Sequence, residues 1–350
     1  MPRAVRISTF ALVLVGAIVL AGFGGSARAP TTSAAVRTAG ATPKARAGPT
    51  ARPTAGPVAR VTYTPHAPFG VGEIVVRYID TSRVVHIKRH RPQPRSLVTI
   101  IRYPAAGDPS QVDVPNAPPA TSSGPFPLVI FGHGYDVTPA IYSQLLQSWA
   151  RAGYVVAAPS FPLTNEYAPG GADENDIVNQ PADMSFIITQ ILAASALTQG
   201  ILAQLVDPHE IAVSGQSDGG ETALGVAYDS YYLDRRVDAA VILSGAKLGP
   251  GIYFPRPSPP LLATQGTADV VNLPRNTYSF FRAARQPKFL LRLLGAPHLG
   301  PYTNEEPQLG IVERVTVAFL DRYLKNLPGA QNRLWQSGDV SGLARLSTRR

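Results

Sequence analysis

Ser217 lies in Gly215-Gln-Ser-Asp-Gly219, between a strand-like run that begins at His209 and a helical pattern that reaches Tyr228. The spacing G-x-S-x-G at a strand-to-helix turn carries chemistry. Glycines on either side allow a tight, strained turn that lifts a hydroxyl above the edge of a sheet. The same turn aims the next amide, that of Asp218, toward a developing oxyanion. A serine hydroxyl is a weak nucleophile until a base takes its proton. Of six histidines, His298 is the candidate base. It sits in Leu294-Gly-Ala-Pro-His-Leu-Gly300, directly after a strand-like run, where a loop returns over the sheet edge. A base of this kind needs an acid to fix its tautomer and stabilise the imidazolium. Asp269, in Gln265-Gly-Thr-Ala-Asp-Val-Val271, follows another strand-like run and reaches the same edge. Asp238 precedes its strand and Asp321 lies on the last helical pattern, so neither substitutes.

The second oxyanion donor is expected from Gly132-His133-Gly134-Tyr135-Asp136, whose glycines let a substrate approach the backbone; the Tyr135 amide is the candidate. His133 is expected to hold that turn by side-chain hydrogen bonds. Tyr135, Tyr253, Phe254 and the loop Leu163 to Asn179 are candidates to line a substrate cleft. The acidic run Asp173-Glu-Asn-Asp176 lacks the D-x-D-x-D-G pattern of a calcium loop and reads as the start of a helix, and Asp183 as a first-turn acid. No metal or cofactor is expected.

These residues need a scaffold that gathers strand ends. Strand-like runs occur at Ile74–Ile79, Leu97–Arg102, Phe126–Phe131, Tyr154–Ala158, His209–Val213, Val237–Leu243, Pro260–Thr264 and Phe289–Leu293. Helical patterns fall at Pro139–Ala152, Ala182–Leu197, Ser217–Tyr228, Asn276–Ala284 and Leu309–Leu324. The alternation predicts an α/β fold with a mostly parallel central sheet and helices on both faces. Its sites form along the carboxyl edge of the strands. After Leu243-Ser-Gly-Ala246, only Lys247 to Pro259 precede the next strand run, which excludes a cap domain and predicts an open cleft. The basic run from Arg83 to Arg91 lacks interleaved aromatics and reads as a hairpin or edge strand, not a nucleic-acid patch.

The chain has 350 residues, 45 % of them hydrophobic, and no cysteine. Disulfide scaffolds, thiolate metal sites and a cysteine nucleophile are therefore excluded. Its formal charge of +9 is uneven, because residues 1–60 hold eight Arg or Lys and no acid. The remainder is close to neutral, so the high pI says little about the folded part. Arg3 and Arg6 precede an apolar run from Phe10 to Phe23 and then Ala27-Arg28-Ala29, the form of a signal peptide over residues 1–29. An uncleaved anchor is the alternative, but the run is shorter than the roughly 20 residues of a spanning helix. Residues 30–60, rich in Ala, Pro and Thr, read as a disordered linker whose cations suit an anionic cell surface. A catalytic domain is expected over 61–328 and a tail over 329–350, the whole acting as a secreted or envelope-associated monomer with no nucleic-acid partner.

The motifs Arg95…Arg102-Tyr-Pro104, His133-Gly-Tyr135, Gly215–Gly219, Gly266…Asp269 and His298 resemble the α/β-hydrolase superfamily, from about Tyr63 to Leu327. The order Ser217, Asp269, His298 is the order of that architecture. Within it the chain is similar to the branch of platelet-activating-factor acetylhydrolases, dienelactone-hydrolase-like proteins and cutinase-like polyester hydrolases. The resemblance implies the α/β-hydrolase fold and a serine carboxylic ester hydrolase working through an acyl-enzyme on a small or polymeric ester. Asp218 stands where Met or Phe is common, and its carboxylate is expected to face away from the oxyanion. A non-catalytic surface-binding protein on the same fold and a peptidase are the alternatives.

Overall fold

The computed structural model describes residues 61–87, 90–109, 112–249 and 251–349. The signal-peptide and linker assignments lie outside them. The strand runs correspond to β1 (Gly70–Val85), β2 (Gln93–Ala105), β4 (Phe126–Gly132), β5 (Val155–Ser160), β6 (Val206–Gln216), β7 (Ala239–Leu243, shorter than expected), β8 (Leu261–Gly266) and β9 (Lys288–Leu293). Two short strands, β3 (Val114–Pro115) and β10 (Ala344–Ser347), complete a ten-stranded sheet of order β10-β9-β8-β7-β6-β4-β5-β2-β1-β3. The central strands β5, β4, β6, β7, β8 and β9 run parallel. β2 joins β5 antiparallel, β1 joins β2 antiparallel, and β10 closes the far edge antiparallel to β9.

Alternation along each strand sorts side chains between two cores. On β4, Leu128 and Ile130 face one layer, whereas Val129 and Phe131 face the other. The first layer contains α2 (Gln180–Ser195), α3 (Asp218–Tyr228) and α4 (Pro274–Ala283), packed through Ile187, Ile191, Leu224 and Phe280. The second contains α1 (Ser143–Arg151), α5 (Gln308–Tyr323) and α6 (Ala330–Gly338), packed through Leu145, Trp149, Val312, Phe319 and Leu334. Both faces of the parallel strands are thus covered, and β7 (Ala-Ala-Val-Ile-Leu) at their centre is wholly apolar.

Residues 329–350 are not a tail. They form α6 and β10, with Leu334 and Ala344 fully buried. Of the basic run, Arg83 to Val85 form the end of β1 and pair toward β2. Among the described residues, 244–260 contain no helix or strand, so the connection after β7 inserts no cap domain. Among the described residues, no helix is long and apolar enough to cross a membrane.

Candidate active site

β6 ends at Gln216 and α3 begins at Asp218, which leaves Ser217 as the single residue of the turn. Its backbone is held at φ 55° and ψ −122°, a strained conformation for a residue with a Cβ. The Ser217 N–H donates to Leu243 O at 3.0 Å, and Ser217 O accepts from Glu221 N at 2.9 Å. The turn fits only because its glycines lack side chains. A Cβ on Gly215 would strike the Gly219 carbonyl, and one on Gly219 would strike the Gly132 carbonyl.

Asp269 and His298 meet at the same edge, in the loops after β8 and β9. His298 Nδ1 donates to Asp269 Oδ2 at 2.8 Å. The acid is buried and its acceptor positions are filled: Oδ1 takes the Val271 and Asn272 amides, and Oδ2 also takes Gln265 Nε2 at 3.0 Å. Burial pushes its pKa up. The His298 bond and charge, with the Asn272 and Gln265 bonds, outweigh this and hold the carboxyl below its ordinary range. Gln265 is itself oriented by Thr277, whose hydroxyl donates to its Oε1 at 2.6 Å.

Among the described residues, Ser217 Oγ and His298 share no hydrogen bond. The imidazole instead faces the residue next to the serine: Gln216 Nε2 lies 3.2 Å from His298 Nε2 and 3.0 Å from His298 O. Such bonds are often loose without substrate and tighten on binding.

The turn after β4 contributes the backbone of Gly134 and Tyr135. The Gly134 amide already donates to Tyr142 Oη at 3.2 Å, whereas the Tyr135 amide has no acceptor among the described residues, which suits it to an incoming oxygen. The Asp218 amide, first in α3, has no acceptor within the helix. His133 is structural, as expected. Fully buried, its Nδ1 donates to Gly134 O at 2.7 Å and its Nε2 accepts from Phe161 N at 3.0 Å. Burial lowers its pKa to about 4, so it stays neutral.

The Asp218 carboxylate lies within electrostatic reach of His298, Tyr135 and Tyr142, and its Oδ2 is buried without a hydrogen bond. Burial and then Glu174 raise its pKa to about 6. Glu221, one turn on, is raised to about 8 by burial, Asp218 and Glu174.

The candidate lining residues separate. Tyr135 keeps a partly exposed ring, and its hydroxyl donates to Ala172 O at 2.9 Å, beside a cavity of about 720 Å³ bounded by Leu163, Pro169 and Glu174. Phe254 is a core residue, 2 % exposed and packed on Tyr228 with ring centroids 4.7 Å apart. Tyr253 is exposed, but its amide bonds Tyr228 O at the far end of α3, roughly 15 Å along the helix from Ser217. The chain after β7 runs back along α3 instead of folding over the elbow, which removes both from the site. A larger cavity, about 920 Å³, adjoins Phe126 at the opposite end of β4 from Gly132.

Arg95 anchors the loop beside Tyr135. Its guanidinium, 1 % exposed, makes paired bonds to Asp183 (2.6 and 2.7 Å) and to Asp176 (2.9 and 2.6 Å). Asp183 is therefore an ion-pair partner as well as a first-turn acid, and Asp173 caps the 3-10 turn Glu174–Asn179 by accepting from Asn175 N. Among the described residues, no cluster of three or more His, Asp or Glu is placed to hold a metal ion.

Residues 106–244 match the Chlorophyllase family model, an α/β-hydrolase-type family. The match spans the Gly132–Tyr135 turn and the Ser217 elbow. The chain has an α/β-hydrolase-type fold. No curated protein matches it. The family match supports the coarse class of an ester hydrolase, and Asp269 and His298 lie beyond the matched region of this hydrolase. Gln216, Tyr142, Gln265 and Asn272 complete the constellation, and none carried a motif that singled it out.

Proposed function

We propose that this hydrolase is a serine carboxylic ester hydrolase with Ser217 as nucleophile, His298 as base and Asp269 as its orienting acid. The observation that carries the reading is the 2.8 Å bond from His298 Nδ1 to Asp269 Oδ2 at the edge where the strained Ser217 turn emerges. That bond leaves the lone pair on Nε2, the atom that must accept a proton. Ser217 Oγ attacks the ester carbonyl as its proton passes to His298 Nε2. The resulting oxyanion lies between the amides of Tyr135 and Asp218. Collapse of this intermediate expels the alcohol, which leaves with the proton from Nε2. Water, deprotonated by the same nitrogen, then releases the acid from Ser217.

The connection after β7, which carries no helix or strand among the described residues, favours an open cleft that admits esters of varied size. The N-terminal basic and apolar run supports export of the enzyme.

A fluorophosphonate probe should label the protein at Ser217. p-Nitrophenyl acetate hydrolysis should fall by at least a thousandfold in Ser217→Ala. Retained hydrolysis in that variant would overturn the assignment. Mass analysis of the exported protein tests cleavage after Ala29.

A further inference from the structure

We infer that Gln216 is a positioning residue that holds the lone pair of His298 Nε2 in the resting enzyme and releases it once that nitrogen is protonated. The inference rests on the serine-esterase reading and concerns the same site.

The polarity of each bond follows from its partners. The Gly134 N–H donates to Tyr142 Oη at 3.2 Å, which directs the Tyr142 proton toward another acceptor. That acceptor is Gln216 Oε1 at 2.8 Å. The other end of the amide is then its NH2 group. His298 O, at 3.0 Å, is a carbonyl and only accepts, which requires the same orientation. One amide proton serves that carbonyl and the other points at His298 Nε2, 3.2 Å away. Nε2 must therefore carry the lone pair, while Nδ1–H serves Asp269.

The tautomer is thus the one the reaction needs, but the lone pair is occupied. When Ser217 attacks, its Oγ–H bond breaks and an Nε2–H bond forms. Two donors would then face each other, so the Gln216–Nε2 contact is lost and the imidazolium turns toward the substrate oxygen. The bond from Gln216 to His298 O persists and keeps the loop in register. After Nε2 gives up its proton, the amide takes the lone pair again. Gln216, 1 % exposed, is held by Tyr142 and cannot follow the ring.

The test compares Gln216→Glu and Gln216→Leu with wild type by kcat and KM across pH on p-nitrophenyl acetate. Glutamate offers an acceptor that favours the protonated ring, so the low-pH limb of kcat/KM should move up by about one pH unit. kcat should fall at least tenfold, with KM within about twofold. Leucine removes the donor without adding charge, and should move the limb in the same direction by less. The other charged groups facing His298 are Asp269 at Nδ1 and Asp218 at the start of α3. Repeating the series in Asp218→Asn removes the ionisation of that carboxylate from the profile. Limbs that coincide with wild type in both variants would overturn the inference, whether or not activity falls. Should either variant fail to fold, 15N spectra of the wild-type imidazole decide. Nε2 should be unprotonated at rest, and protonated and free of Gln216 after phosphonylation. An unchanged Gln216–Nε2 contact in the adduct would overturn the inference. Labelled Ser217 with unshifted limbs removes the role of Gln216 alone; unlabelled wild-type protein removes the esterase reading as well.

Discussion

Asp269 Oδ2 accepts from His298 Nδ1 at 2.8 Å while its Oδ1 binds two backbone amides of its own loop. The carboxylate is fixed by the loop before it fixes the ring. Asp269→Asn preserves shape but offers an NH2 group to Nδ1, favouring the wrong tautomer. kcat on p-nitrophenyl acetate should fall by about 10³–10⁴, with labelling of Ser217 slowed in proportion.

The same carboxyl has a stability signature. Its folded pKa lies below the usual range, so its contribution is complete above the unfolded value. The contribution fades as pH falls through the lower, folded value. Wild type should thus lose Tm relative to Asp269→Asn on acidification below about pH 4. Parallel Tm curves for the two proteins from pH 5 to pH 2 would contradict this.

Asp218 and Glu221 predict the opposite trend. Their folded pKa values, about 6 and about 8, lie above those of free carboxyls. Each therefore costs stability as pH rises from its unfolded value to its folded one, between about pH 4 and 6 for Asp218 and about pH 4 and 8 for Glu221. Asp218→Asn should raise Tm by a few degrees at pH 7 and have little effect near pH 4. It should also raise kcat severalfold at pH 8, because an ionised carboxylate within electrostatic reach of the site opposes a developing oxyanion. A fall in kcat at pH 8 would show that the charge assists catalysis.

Arg95 should be a sensitive buried linkage in the loop wall. Its guanidinium saturates two buried carboxylates, so Arg95→Ala leaves Asp176 and Asp183 without their main partner. Breaking a buried pair in this way costs about 3–5 kcal/mol. In a domain of this size that corresponds to roughly 6–10 °C in Tm. Lysine cannot reproduce four directed bonds and should restore less than half of the loss. A Tm within 2 °C of wild type for Arg95→Ala would argue against the ion-pair account.

What a linear reading recovers depends on whether the signal is local. Ser217 was legible because strand, glycines and helix adjoin in a dozen residues. Asp269 and His298 were legible because each follows an apolar run that ends at the same edge. Arg95 meets Asp176 and Asp183 from more than 80 positions away, and nothing in either segment announces the pairing. Gln216 is an amide, which has no motif of its own. Tyr253 and Phe254 were misplaced because aromatic loop residues look alike whether a loop folds over a site or back along a helix.

The C-terminus makes the same point and can be tested directly. Residues 329–350 have short apolar periods that resemble a tail, yet β10 pairs with β9 through Ala344 to Ser347, and Trp335 packs edge-on against Phe289 at 5.8 Å. Removing them strips the antiparallel partner from β9 and exposes the backbone edge of Leu290 to Leu293. An uncovered apolar edge strand templates further pairing between chains. A chain ending at Pro328 should accumulate as insoluble aggregate when wild type is soluble. A charged substitution in the exposed edge, Leu291→Lys, should not rescue it, because that side chain is fully buried against the α5 layer. Soluble, active protein from the shortened chain would show that the last two elements decorate the sheet without closing it.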